Sequence, residues 1–102
     1  MTYRIEFTEK AVAQLAVLPK DAQSKLAAQI AALAGNPHPP SSRKIKGHQD
    51  CYRIRQGDYR VVYAVIDSNL LVIVARAGHR KEVYERLQSV DRAVQRFRKE
   101  PN

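Results

Sequence analysis

The chain has 102 residues, with 18 Lys+Arg against 10 Asp+Glu and a formal net charge of +8. A length near 100 residues suits one compact domain, and a hydrophobic fraction of 44% argues against a disordered chain. No apolar run approaches the ~20 residues that span a bilayer, and a single cysteine, Cys51, excludes an internal disulfide framework and argues against a thiolate zinc site.

The positive charge is unevenly placed. Residues 1–42 carry net +1, residues 43–79 net +4 and residues 80–102 net +3. A domain this small and this basic points to a polyanion, either nucleic acid or a nucleoprotein, with a plain solubility charge as the alternative. The opening MTYRIEF has no apolar signal-peptide core, which predicts a cytoplasmic protein with no membrane partner. His38, His48 and His79 lack metal-ligand spacing, so no metal or other cofactor is predicted.

Thr2 to Phe7 alternates, with Tyr3, Ile5 and Phe7 on one side and Thr2, Arg4 and Glu6 on the other, the pattern of a half-buried strand. Thr8 is a helix N-cap with Glu9 in the first turn. Ala11, Leu15 and Leu18 form an apolar stripe that Pro19 ends. Asp21 is the next N-cap candidate. From there to Ala34 good helix formers dominate, with Leu26, Ile30 and Leu33 on one face. Gly35-Asn36 closes this helix, and Pro37, Pro39 and Pro40 prevent its continuation. The tight link between the two helices predicts an antiparallel hairpin.

Beyond Ser42 the period changes to 2. A short strand is predicted at Arg43 to Lys46, then strands at Cys51 to Arg55, Tyr59 to Ile66 and Leu70 to Ala77. Turns at Gln56-Gly57-Asp58 and Asp67-Ser68-Asn69 make the last three an antiparallel meander. Gly78 breaks the final strand. A helix follows from Lys81, with Val83, Leu87, Val90, Val94 and Phe97 as its apolar stripe and a fraying tail from Arg98. The class is α+β: an N-terminal strand, an antiparallel helical hairpin, an antiparallel meander of three to four strands, and a C-terminal helix.

Chemistry is concentrated between Cys51 and Tyr84. Arg53 and Arg55 share one strand face, Arg60 begins the next strand, and Arg76 falls near the end of the last. Antiparallel neighbours bring Arg53, Arg55 and Arg60 within reach of one another. Arginines grouped in this way repel unless solvent or an anion neutralises them. Guanidinium forks suit phosphate oxygens, so phosphate is the natural anion and a solvated polar face the alternative. Lys44, Lys46 and Lys81 join Arg53 and Arg55 as phosphate-binding candidates.

Metal-free RNA cleavage needs a base for the 2′-OH, cations for the phosphorane charge, and an acid for the departing 5′ oxygen. Arginines suit the middle role. His79, with an unperturbed pKa of about 6.5, or Tyr84 suits acid or base work. There is no carboxylate pair for two-metal chemistry, no Gly-rich phosphate loop and no nucleophile elbow. Cys51 reads as a small strand residue, His48 as a loop residue, and Tyr52, Tyr59 and Tyr63 as sheet core.

The run CYRIRQGDYRVVYAVID, followed by a short strand and AGHRKEVYERL, resembles the RelE/ParE superfamily of type II toxin–antitoxin toxins, in particular its RelE branch. The resemblance covers residues 1–88, which gives one toxin domain with 89–102 as a helical extension and tail. It implies a ribosome-dependent endoribonuclease that cuts messenger RNA in the A site. It also implies a RelB-like antitoxin that neutralises the toxin, with operator DNA reached only through the toxin–antitoxin complex.

By the same resemblance Arg60, in DYRVVY, matches the phosphate-stabilising arginine. Arg80, in GHR, matches a second active-site arginine, and Tyr84, in EVY, the tyrosine that positions or deprotonates the nucleophile or stacks on the base. Arg53 and Arg55 stand where studied members carry lysines. Arginine keeps the charge and is a far poorer proton acceptor, which shifts base duty toward His79 or Tyr84. The ParE branch shares the fold and is associated with inhibition of DNA gyrase, and its members generally lack the full Arg60, Arg80 and Tyr84 set. That activity is the alternative to RNA cleavage, since one fold can host both. A nucleic-acid-binding module without activity of its own is the third reading.

Overall fold

The computed structural model describes residues 2–48, 50–79, 82–84 and 87–99, and within the last helix the side chains of 87, 90–92 and 94–96. β1 (Arg4–Phe7) leads into α1 (Glu9–Ala16), and a tight turn leads on to α2 (Lys20–Ala32). β2 (Arg43–Lys44), β3 (Cys51–Gln56), β4 (Tyr59–Ile66) and β5 (Leu71–His79) follow, then a 3-10 turn at Glu82–Tyr84 and α3 (Leu87–Lys99). The strands form one sheet in the order β1-β5-β4-β3-β2.

Local signals explain the first elements. The Thr8 hydroxyl oxygen accepts from the Ala11 N–H at 3.1 Å, capping α1 as predicted. The start of α2 differs from the sequence reading, because Pro19 and not Asp21 holds the N-cap position. Proline's fixed φ, here −56°, leads into a helix, and its missing N–H is no loss where N–H groups have no helical partner. Asp21 instead sits in the first turn, beside the positive end of the helix, and pairs with Lys25 at 3.6 Å.

β3, β4 and β5 form the predicted antiparallel meander. Gly57, at φ +60°, supplies the left-handed residue that a two-residue hairpin turn requires. The meander is extended by long-range pairing, with β1 running parallel to β5, Arg4 opposite Leu71 through Phe7 opposite Val74. Two boundaries move. β5 does not end at Gly78, because Gly78 and His79 still pair with Arg60 and Tyr59. The helix expected from Lys81 begins at Leu87, while residues 82–84 form a 3-10 turn whose Val83 is fully buried. α3 crosses the boundary at residue 88, and Val90 and Val94 beyond it are buried with sheet residues. The Phe97 side chain, the rest of the predicted tail from residue 100, and Lys81 itself lie outside the described set.

β4 and β5 are buried on both faces. On one face Val61, Tyr63, Val65, Val72 and Val74 pack against Leu26, Ile30 and Leu33 from the hairpin side. On the other, Val62, Ala64, Ile66 and Ile73 pack against Val83, Leu87, Val90 and Val94. Strands covered on both sides lose the apolar–polar alternation of a half-exposed sheet.

A register shift interrupts the β4–β5 ladder. Tyr63 faces Val74 and Val62 faces Arg76, which leaves Ala75 unmatched. This is a β-bulge, two residues opposing one. Its polar groups are met from the neighbouring elements. Thr8 donates its hydroxyl to the Ala75 carbonyl at 3.1 Å and its N–H to the Val74 carbonyl at 3.0 Å. The Ala77 N–H donates to Gln14 Oε1 at 3.0 Å. The bulge rotates Arg76 onto the face of the sheet that carries α3.

Candidate active site

Strand register assembles the cationic face. Arg43 lies opposite Arg53, Arg53 opposite Val62, and Val62 opposite Arg76. Since opposed residues share a face, Arg43, Arg53 and Arg76 form a row across the sheet on its α3 side. Two residues along, Arg55 lies opposite Arg60 on the same side. Neighbouring strands are about 4.8 Å apart and two residues of strand rise about 6.7 Å, so the two rows make a compact patch.

Arg60 is held at the hairpin tip, where its guanidinium donates to the Gly57 carbonyl at 3.0 Å and the Tyr59 carbonyl at 3.4 Å. Arg76 is 7% exposed and donates to the Ala75 carbonyl at 2.9 Å. Burial pushes its pKa down. Among the described residues, the ion pairs are Arg4–Glu6, Asp21–Lys25 and His48–Asp91, so Arg53, Arg55 and Arg60 take part in none. Arg53, Arg55 and Arg60, which share this face without an ion pair among the described residues, form a site whose natural counter-charge is an external anion.

Tyr84 belongs to the 3-10 turn that packs on β4 and β5. Val83 anchors that turn in the α3-side core, so Tyr84, 37% exposed, stands on the side of the arginines. Arg53, Arg55, Arg60 and Tyr84 therefore share one side of the sheet. His79 does not join them, because it pairs with Tyr59 and leaves the opposite face. There the two rings meet edge to face, with centroids 6.3 Å apart and an interplanar angle of 85°. Lys44 lies opposite Tyr52, also on the hairpin side, and Lys46 is exposed in the loop after β2. Arg80 and Lys81 lie outside the described residues. Arg43 is an addition that sequence reasoning missed. Its only signal was its place in a two-residue strand whose register no local pattern sets.

The residues read as structural behave so. Cys51 is buried, and burial, with a smaller contribution from Asp91, pushes its thiol up to about 11. It stays protonated, and a protonated thiol is a poor nucleophile. His48 Nδ1 meets Asp91 Oδ2 at 2.8 Å, tying α3 to the loop before β3. Tyr63 is fully buried and donates to the Pro37 carbonyl at 2.8 Å, and desolvation pushes its hydroxyl up to about 12. Tyr52 stacks on Tyr63 at 5.9 Å and takes the His38 ring edge-on at 4.8 Å. Among the described residues no cluster of three or more His, Cys, Asp and Glu is arranged to hold a metal ion.

The hairpin side carries a second feature. An apolar groove of about 550 Å³ lies between α1, α2 and β1, lined by Ile5, Phe7, Val12, Leu15 and Ile30 among others. Phe7 and Val12, both large and apolar, are exposed on it at 45% and 54%.

A family profile described as the ParE toxin of the type II toxin–antitoxin system parDE matches residues 5–84. A putative RelE-like toxin protein of Escherichia coli is 37% identical over 83 residues, covering 79% of this chain and 86% of that protein. The mRNA interferase toxin RelE of E. coli is 33% identical over 88 residues, covering 82% and 92%. An archaeal RelE solved in complex with RelB, from Pyrococcus horikoshii, has a TM-score of 0.70 at 30% identity, covering 80% of this chain and 99% of that one. The matched span runs from β1 through the arginine face to Tyr84, and the chain belongs to the ParE toxin family of type II toxin–antitoxin systems, with RelE toxins among its relatives.

Proposed function

We propose that the protein is a metal-independent endoribonuclease toxin that cuts messenger RNA in the ribosomal A site and is neutralised by a RelB-like antitoxin. The observation that carries this reading is the arginine face with Tyr84 on the same side of the sheet. Support comes from the relative named mRNA interferase toxin RelE.

In this reading Arg60 faces the scissile phosphate and stabilises the charge that builds on its oxygens, while Arg53 and Arg55 add field and hold the flanking backbone. The 2′ oxygen gives up its proton and bonds to phosphorus. The bond from phosphorus to the 5′ oxygen breaks, and that oxygen takes a proton. Tyr84 supplies a hydroxyl for proton transfer or a ring that orients the base. Arg80 is assigned to the leaving-group side, and Lys46 and Lys81 to outer phosphate contacts. Lys44, on the hairpin side, reaches only backbone that passes round the sheet edge. His79, on the opposite face of the sheet from Arg60, carries no proton in this reading.

The antitoxin is placed in the apolar groove between α1, α2 and β1, where an amphipathic segment buries Phe7 and Val12. Acidic side chains on that segment complement the +8 toxin. Operator DNA is reached only through the complex. No described helix is long and apolar enough to cross a membrane, and a ribosomal target puts the protein in the cytoplasm.

The test is a primer-extension map of messenger in a purified translation system, with wild type, Arg60→Ala and naked RNA compared. Cuts at A-site codons that need ribosomes and vanish in Arg60→Ala are expected. The name of the matched profile favours a second reading, a ParE-like toxin that inhibits DNA gyrase by protein binding. An uncut messenger, with loss of supercoiling activity that persists in Arg60→Ala, would establish that reading instead.

A further inference from the structure

The end of the β4–β5 ladder presents different chemistry on its two faces. Arg60 and Tyr59 are consecutive, so their side chains leave β4 on opposite sides. The guanidinium lies on the α3 side with Arg55, while the Tyr59 ring lies on the hairpin side with His79 and packs against the core there. The His79 ring is exposed and braced edge-on by Tyr59 at 6.3 Å. Its backbone is also fixed, since β5 stays in the ladder through His79. Gln14 from α1 holds the Ala77 N–H, and Gln29 from α2 reaches the Arg55 carbonyl at 3.5 Å, so both hairpin helices close on this end of the sheet.

We infer that Tyr59 and His79 form a ledge on which one nucleobase of the RNA stacks while its phosphate lies against Arg60 and Arg55. This rests on the ribonuclease reading and specifies how it selects its substrate. A nucleotide carries a charged backbone and a flat apolar base on opposite sides of its sugar, and the strand end offers a matching division within one residue step. A rigid aromatic edge costs little ordering entropy when a base settles on it, and base–aromatic stacking is worth about 5- to 150-fold in affinity per base. His79 then acts through its ring face, as a determinant of which nucleotide is preferred next to the cut, and not through its proton. A stacking ledge of this kind ranks bases by stacking strength, purines over pyrimidines.

The test compares wild type, His79→Ala and His79→Phe on ribosome-bound messengers that differ only in the A-site codon, across pH 6 to 8. A second readout is 2-aminopurine in that codon, whose fluorescence is quenched by stacking and needs no cleavage. His79→Phe is expected to keep the quenching, the codon preference and a rate within about threefold of wild type. His79→Ala is expected to lose the quenching, raise the half-saturating substrate concentration by about 5- to 150-fold, and flatten the preference. If His79→Phe is as inactive as His79→Ala and removes a limb of the pH profile, His79 transfers a proton and the ledge is wrong. If His79→Ala cuts and quenches like wild type, the ring is a solvated surface group and the ledge is again wrong. A wild type that leaves every ribosome-bound messenger intact overturns the ribonuclease reading, and the ledge with it, whereas the two preceding outcomes overturn the ledge alone.

Discussion

Arg60 offers a planar fork at the tip of a hairpin, fixed by two carbonyls. Lysine would keep the charge and lose the planar fork that meets two phosphate oxygens at once. Arg60→Lys is therefore expected to lower single-turnover cleavage by about 10²- to 10³-fold, the cost of losing one oriented donor to a developing oxyanion. An unchanged melting temperature in the same variant would separate this loss from unfolding. Two buried residues make a different prediction, about pH. Cys51 is raised from 9.0 to about 11 and Tyr63 from 10.0 to about 12. Both hold their protons more tightly folded than unfolded. The stability they contribute is complete below pH 9 and is lost as pH rises through the folded values. Melting temperature should fall from pH 9 to 12, and Cys51→Ala should remove the part of the fall between pH 9 and 11.

The bulge at Ala75 links α1 to the arginine face. Gln14 is the acceptor for the buried Ala77 N–H. Gln14→Ala leaves that donor without its partner, at a cost of about 1–3 kcal/mol, or roughly 4–20 °C in melting temperature for a domain this size. Differential scanning calorimetry checks this, and a change under 2 °C would mean that water replaces the amide. The bulge also marks where legibility in the sequence stopped. The meander, the Thr8 cap and the Leu26, Ile30 and Leu33 stripe follow from neighbours a few residues apart, and each was readable. Nothing in LVIVARAGH marks Ala75 as the unmatched residue, because the shift depends on Thr8 and Gln14, more than 60 residues away in sequence. The side taken by His79 was hidden for a related reason. Gly78 looks like a stop when read locally, and only its pairing with Arg60 keeps the strand going and turns His79 toward Tyr59. Asp21 lost the capping position to a proline that was read as a terminator alone.

The whole molecule divides by face. The hairpin side carries an apolar groove and the α3 side a cationic patch, so a partner that covers one need not cover the other. In the ribonuclease reading, the net charge of +8 makes RNA affinity depend on salt. A plot of log affinity against log salt for single-stranded RNA should flatten by about 0.7 for each of Arg53 and Arg55 replaced by glutamine. A parallel plot for the variants would remove those side chains from contact with phosphate.

The position of β1 bears on how the chain is made. Among the described residues β5 is its sole neighbour in the sheet, so residues 4–7 have no described strand to join until residues 71–74 exist. On a translating ribosome the first strand synthesised waits for the last, and the bulge that aims Arg76 waits with it, since Thr8 and Gln14 act across the same gap. Such distant pairings close late because loop entropy must be overcome first. In the ribonuclease reading, the arginine face is therefore completed only after residues 71–77 have been made, however early Thr8 and Gln14 appear.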